Sequence, residues 1–200
     1  MINRTVVLAA GLLLSAPAMA AEPPMTSISV PNDWTVVPWT PLAPGMAESL
    51  YKPLSTDQTG RPDVSCLINA TIDPQTKFVN PTDLDRITES ALGDTFRRTT
   101  VSRDATTRTT TSTTMDHVEG VVVSGHSAVL ATGIQATTSD DDRVVVRIGR
   151  VMHVGFAAPG WHYLASCIAA GPTLDEADHE WGQWGSVFRG IVLSYKVAQQ

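Results

Sequence analysis

The stretch RVVVRIGRVMHVGFAAPGWHYLASCIAA, residues 143–170, decides the fold. Two long runs rich in β-branched and aromatic residues flank Ala158-Pro159-Gly160, a turn signal. Consecutive strands joined by so short a connection run antiparallel, because a parallel return needs a crossover of a dozen residues or more. Working back toward the N-terminus, EGVVVSG and HSAVLATGIQATT read as further strands. Ser139-Asp140-Asp141-Asp142 then forms a second hairpin tip. Residues 118–170 are therefore expected to be an antiparallel meander.

Past the hairpin comes GPTLDEADHEWGQWGSVFRG, residues 171–190, which contains the letters of a helicase acid box at Asp175-Glu176-Ala177-Asp178. Thr173 and Glu176 have the spacing of a capping box, and acids in a first turn complement the positive end of a helix dipole. Leu174, Ala177, Trp181, Trp184, Phe188 and Ile191 recur every three or four residues, which predicts one buried helical stripe. Magnesium-holding acids of a nucleotide site sit at the end of a buried strand, and these open a helix. None of Lys52, Lys77 and Lys196 follows a glycine, so the phosphate-cradling Gly-Lys-Ser/Thr is missing.

Earlier segments complete the pattern. SISVPNDWTVVPW is two short β-like runs around a turn at Pro31-Asn32-Asp33, and ESLYKPL is a short strand. In PDVSCLINATI the residues Val64, Cys66, Ile68, Ala70 and Ile72 alternate as on a half-buried strand. NPTDLDRITESAL predicts a helix, with Asn80 as N-cap, Pro81 at the first position, and Leu84, Ile87 and Ala91 on the buried face. Residues 99–114, TTVSRDATTRTTTSTT, favour a loop leading into a strand or an edge strand over a disordered stalk, because threonine is β-branched and both flanks look folded. The fold class expected is α+β, a central antiparallel β-sheet with two main helices packed on it.

The first residues, MINRTVVLAAGLLLSAPAMA, have a basic n-region, a short apolar run and a small-x-small site at Ala18-Met19-Ala20. This predicts a signal peptide over 1–20, cleaved after Ala20, and a single domain over 21–200 in the periplasm or outside the cell. The apolar run is shorter than the roughly 20 residues that span a bilayer, so no membrane insertion of the mature chain is expected. Removing Arg4 with residues 1–20 takes the formal charge from −6 to −7. An acidic chain without a basic patch has no footprint for nucleic acid. Two cysteines, Cys66 and Cys167, in an oxidising compartment predict one disulfide.

Candidate chemistry is sparse. Gly125-His126-Ser127-Ala128-Val129 has valine where a nucleophile elbow requires its second glycine, so a β-turn is expected. His117, His126, His153, His162 and His179 make no local zinc spacing. Asp140, Asp141 and Asp142 lack the spaced ligands of a calcium loop. Cys167 with His162 could form a thiol nucleophile pair only if Cys167 is free. No cofactor, metal or catalytic residue is therefore assigned, and the partner is an unidentified protein or small molecule.

The order of elements, carried by SVPNDWTVV, SGHSAVLATGIQ, the hairpin 143–170 and WGSVFRGIVLSY, resembles the PsbP-like, or Mog-type, α/β/α sandwich family. That family includes a photosystem extrinsic subunit, a Ran-binding factor and exported bacterial proteins. The resemblance implies a sandwich over the mature chain and a binding or accessory role, with no enzyme activity. None of the family's binding residues matches a position here. The expectation is an exported accessory or binding protein. The alternatives are an envelope protection or immunity-type protein that binds another protein, and a small exported hydrolase.

Overall fold

The structure, a computed structural model, describes residues 26–37, 46–53, 64–141 and 143–197. The expected signal peptide lies outside the described residues, as does Asp142. In chain order the elements are β1 (Thr26–Ser27), β2 (Trp34–Val37), β3 (Met46–Pro53), β4 (Val64–Ile72), α1 (Pro81–Phe96), β5 (Thr100–Asp104), β6 (Thr109–Val123), β7 (His126–Ser139), β8 (Val145–Ala158), β9 (Trp161–Gly171), α2 (Leu174–Leu193) and β10 (Lys196–Val197). Eight strands form one sheet in the order β2-β3-β4-β9-β8-β7-β6-β5, and β1 pairs separately with β10. Each pairing is antiparallel. The α+β class and the meander from β6 to β9 are as the sequence predicts, and β5 extends it by one edge strand.

The turns form where their residues allow. Ser124 (φ 54°) and Gly125 (φ 82°) close β6 to β7 with two left-handed residues, so Gly125-His126-Ser127 is a hairpin turn and the start of a strand. Gly160 (φ 85°) closes β8 to β9. The threonine-rich segment is itself a hairpin, with β5 the outer edge strand and β6 continuing inward. A bulge at Asp116 interrupts β6 opposite β7. There, a Cβ on Gly133 would lie 2.1 Å from the Thr114 carbonyl oxygen, so only glycine fits.

Alternation along the strands separates two faces. On one face Met152, Val154 and Phe156 of β8, Tyr163, Ala165 and Cys167 of β9, and Cys66 and Ile68 of β4 meet Phe188, Ile191 and Val192 of α2. Phe156 stacks on Tyr163 at 4.9 Å between centroids, and Tyr195 packs edge-on to both. Trp34 meets Trp184 and Phe188 edge to face. Burial pushes the Tyr163 phenol up to about 12 and that of Tyr195 higher still. Both cysteines are fully buried in this layer.

On the other face α1 packs chiefly over β6, β7 and β8. Its N-cap is Asn80, whose side chain accepts from the Thr82 amide, and Pro81 opens the helix as predicted. The buried face differs from the expected one. Leu84 and Thr88 are buried and Leu92 and Phe96 half-buried, while Ile87 is 52% exposed and Ala91 faces solvent. An i, i+4 row drifts only slowly around a helix, so 84-88-92-96 stays on one side. The row 84-87-91 lies beside it and is apolar at every position, but the sheet accepts the former.

α2 carries the capping box: the Thr173 hydroxyl accepts from the Glu176 amide, and Glu176 accepts from the Thr173 amide. Ala177, Phe188 and Ile191 are buried and Leu174, Trp181 and Trp184 half-buried, so the predicted stripe is the packed one. Among the described residues no helix is long and apolar enough to cross a membrane.

Candidate functional site

Of the acidic residues of 171–190, Glu176, Asp178 and Glu180 have structural partners. Glu176 caps α2, and Asp178 accepts from Arg150 Nε at 2.5 Å while the same guanidinium reaches Asp116 at 3.2 Å. The hairpin-tip acids are likewise engaged. Asp140 accepts from Thr110 Oγ1 and Arg103 Nε, both at 2.7 Å, and Asp141 pairs with Arg108. The Thr110 hydroxyl and then Arg103 hold the Asp140 carboxyl below the usual carboxylate range. Among the described residues no group of three His, Cys, Asp or Glu is placed to hold a metal ion.

Cys66 and Cys167 form the predicted disulfide. They are direct partners in the β4–β9 register with Cα atoms 4.0 Å apart, and are 101 residues apart in sequence. The bridge excludes a Cys167–His162 nucleophile pair. Alternation also puts the two on opposite faces of β9.

What the sheet does bring together is a cleft of about 510 Å³ beside α1, where that helix leaves β9 and β4 open. Leu92, Thr95 and Phe96 of α1 form one wall. Asn69, Thr71 and Ile72 of β4 with His162 and Leu164 of β9 form the other, and Gly155 of β8 lies in the floor. A Cβ there would stand 3.0 Å from Leu92 Cδ1, so a larger residue would push that side chain back by a few tenths of an ångström.

At the mouth, His162 Nε2 lies 2.8 Å from Asp73 Oδ2. Asp73 is set by backbone contacts. Its amide donates to the Gly160 carbonyl at 2.8 Å, and the Gly160 amide donates to Thr76 Oγ1 at 3.1 Å, so the loop after β4 is latched onto the β8–β9 turn. His162 sits opposite Thr71 in the register. The Thr71 hydroxyl donates to Asn69 Oδ1 at 2.8 Å and the Thr95 hydroxyl to the Ala91 carbonyl at 2.8 Å. In the same loop Phe78 is 90% exposed.

Behind this wall, His153 of β8 stacks on Phe96, with ring centroids 6.0 Å apart and planes 17° from parallel. Its Nδ1 is sealed from solvent without a hydrogen-bond partner. Burial lowers the imidazole from 6.5 to about 4, so it is neutral at pH 7. His153 thus belongs to the packing that positions Phe96.

His162 and Asp73 are 89 positions apart and share no motif. Only the β4–β9 pairing joins them. The one local signal is that both border turn material, Asp73 before Pro74 and His162 after Pro159-Gly160.

No family model matches the chain, and no curated protein matches it. Solved structures do. Cyanobacterial PsbP from Synechocystis sp. PCC 6803 is similar at 15% identity and a TM-score of 0.45, over 94% of this chain and all of that one. LpqN of Mycobacterium tuberculosis, described as involved in cell envelope biogenesis, is similar at 13% identity and a TM-score of 0.44, over 88% of this chain and 84% of that one. These are likenesses of fold. The first is of the PsbP kind that the sequence resembles.

Proposed function

We propose that this chain is an exported binding protein, not a catalyst, and that it works through the cleft between α1 and strands β4 and β9. The observation that carries this is the cleft itself. It is of ligand size, largely apolar, and has a few polar groups at its mouth, the usual make-up of a small-molecule site. The buried Cys66–Cys167 bridge supports export, since structural disulfides persist in oxidising compartments.

The test uses N-phenyl-1-naphthylamine, a neutral dye that brightens in apolar sites. Saturable binding is expected. Thr95→Trp, at an exposed position on the cleft wall, should weaken it at least about tenfold with an unchanged unfolding midpoint. Absence of saturable binding, or indifference to Thr95→Trp, refutes the assignment.

A second reading, a small exported hydrolase, has one observation in its favour, the His162–Asp73 pair. A carboxylate that orients a histidine is half of a general-base arrangement. Among the described residues no hydroxyl or thiol is hydrogen-bonded to His162, and the Thr71 hydroxyl is given to Asn69. Turnover of a nitrophenyl ester that disappears in His162→Gln would favour this reading over binding alone.

A further inference from the structure

We propose that the cleft selects apolar molecules bearing a hydroxyl donor and rejects carboxylates. This rests on the cleft being the binding site. The inference comes from which hydrogen-bonding capacities remain unused. The Asp73 carboxylate faces His162 Nε2 at 2.8 Å, so that nitrogen carries the proton and, in the neutral ring, Nδ1 is left as a bare acceptor. The Thr71 proton is given to Asn69 Oδ1 and the Thr95 proton to the Ala91 carbonyl, so these hydroxyls also turn only lone pairs outward. The donors of these three side chains are satisfied within the protein, so a ligand that meets them must bring its own.

Charge points the same way. Among the lining residues there is no lysine or arginine, and Asp73 is the single carboxylate. An anion would give up its hydration in a mostly apolar site and meet a like charge at the mouth. A neutral hydroxyl presented to His162 Nδ1 meets neither cost.

Three isosteric probes separate the possibilities at pH 7.5: 2-naphthol, 2-methoxynaphthalene and 2-naphthoate, each titrated into ¹⁵N-labelled protein with the amides of Leu92, Thr95 and Leu164 as reporters. One net hydrogen bond should make the naphthol bind about 5- to 10-fold more tightly than the methyl ether, with the naphthoate weakest. His162→Leu, at a half-exposed side chain, should bring naphthol down to the level of the ether in the same variant. Asp73→Asn should raise naphthoate affinity relative to the ether. Equal binding of naphthol and ether, or naphthoate binding as well as naphthol, overturns the donor inference while leaving the cleft as a site. If none of the three moves the reporter amides, the cleft assignment falls with it.

Discussion

Acidification should loosen the α1 side of the sheet through one residue, His153. Its imidazole is held neutral in the fold, with its pKa lowered from 6.5 to about 4 by burial against Phe96. Below pH 6.5 the unfolded chain binds a proton that the folded chain refuses, so stability falls as pH falls, and the loss is complete once pH reaches about 4. At about 1.4 kcal/mol per pH unit, the gap amounts to about 3 kcal/mol. The residue as a whole is only partly buried, which trims the expected loss to about 2–3 kcal/mol. The carboxyls held low by their partners, Glu119 by Arg189 and Asp140 by Thr110 and Arg103, act in a different window. Their contribution is present above their ordinary values of 4.5 and 3.8 and is lost only as pH drops through the lowered ones. Denaturant unfolding followed by tryptophan fluorescence at pH 7.0 and 4.5 should therefore show the loss in the wild type and a much smaller one in His153→Gln. Parallel losses in the two proteins refute the assignment. Because His153 stays neutral in the fold until about pH 4, dye binding in the cleft should hold through that interval and weaken only as pH falls through about 4, less so in the variant.

Other outcomes follow from the covalent and backbone frame. The unreduced, unfolded protein should show no reactive thiol, and the double replacement Cys66→Ala with Cys167→Ala should lower stability by up to about 4–5 kcal/mol, the loop-closure figure for about 100 residues. Gly133→Ala should cost at least about 2 kcal/mol by thermal or denaturant melting, because its Cβ would meet a carbonyl oxygen that cannot swing aside. Thr173→Ala should cost about 1 kcal/mol by removing the hydroxyl that caps α2, whereas Asp178→Asn should change stability by less. Loss of a measured activity in Asp178→Asn, with the fold intact, would return that acid to functional chemistry.

Most of the fold was legible because its determinants are local. The Thr173–Glu176 cap, Pro81 after Asn80, and the Ser124-Gly125 and Pro159-Gly160 turns each act within four residues, through dihedral preferences and hydrogen bonds that any context preserves. The cysteine pair was legible for a different reason: two thiols in an oxidising compartment allow one intramolecular partner. The face of α1 was not. Leu84, Ile87 and Ala91 form as good a stripe as Leu84, Thr88, Leu92 and Phe96, and what the sheet offers decides between them. Gly155 lets Leu92 and Phe96 of the second row come close to the sheet.

The sequence by itself determined an α+β chain with an antiparallel meander, two capped helices and a single possible disulfide. Tertiary structure alone decided that β4 lies beside β9, and that choice creates the site. It sets Thr71 opposite His162, draws Asp73 onto the β8–β9 turn, and leaves a strip of sheet that α1 does not cover. Strand order and register arise from side-chain packing summed over the whole sheet, with no short-range code, so residues 89 positions apart become neighbours without any local sign.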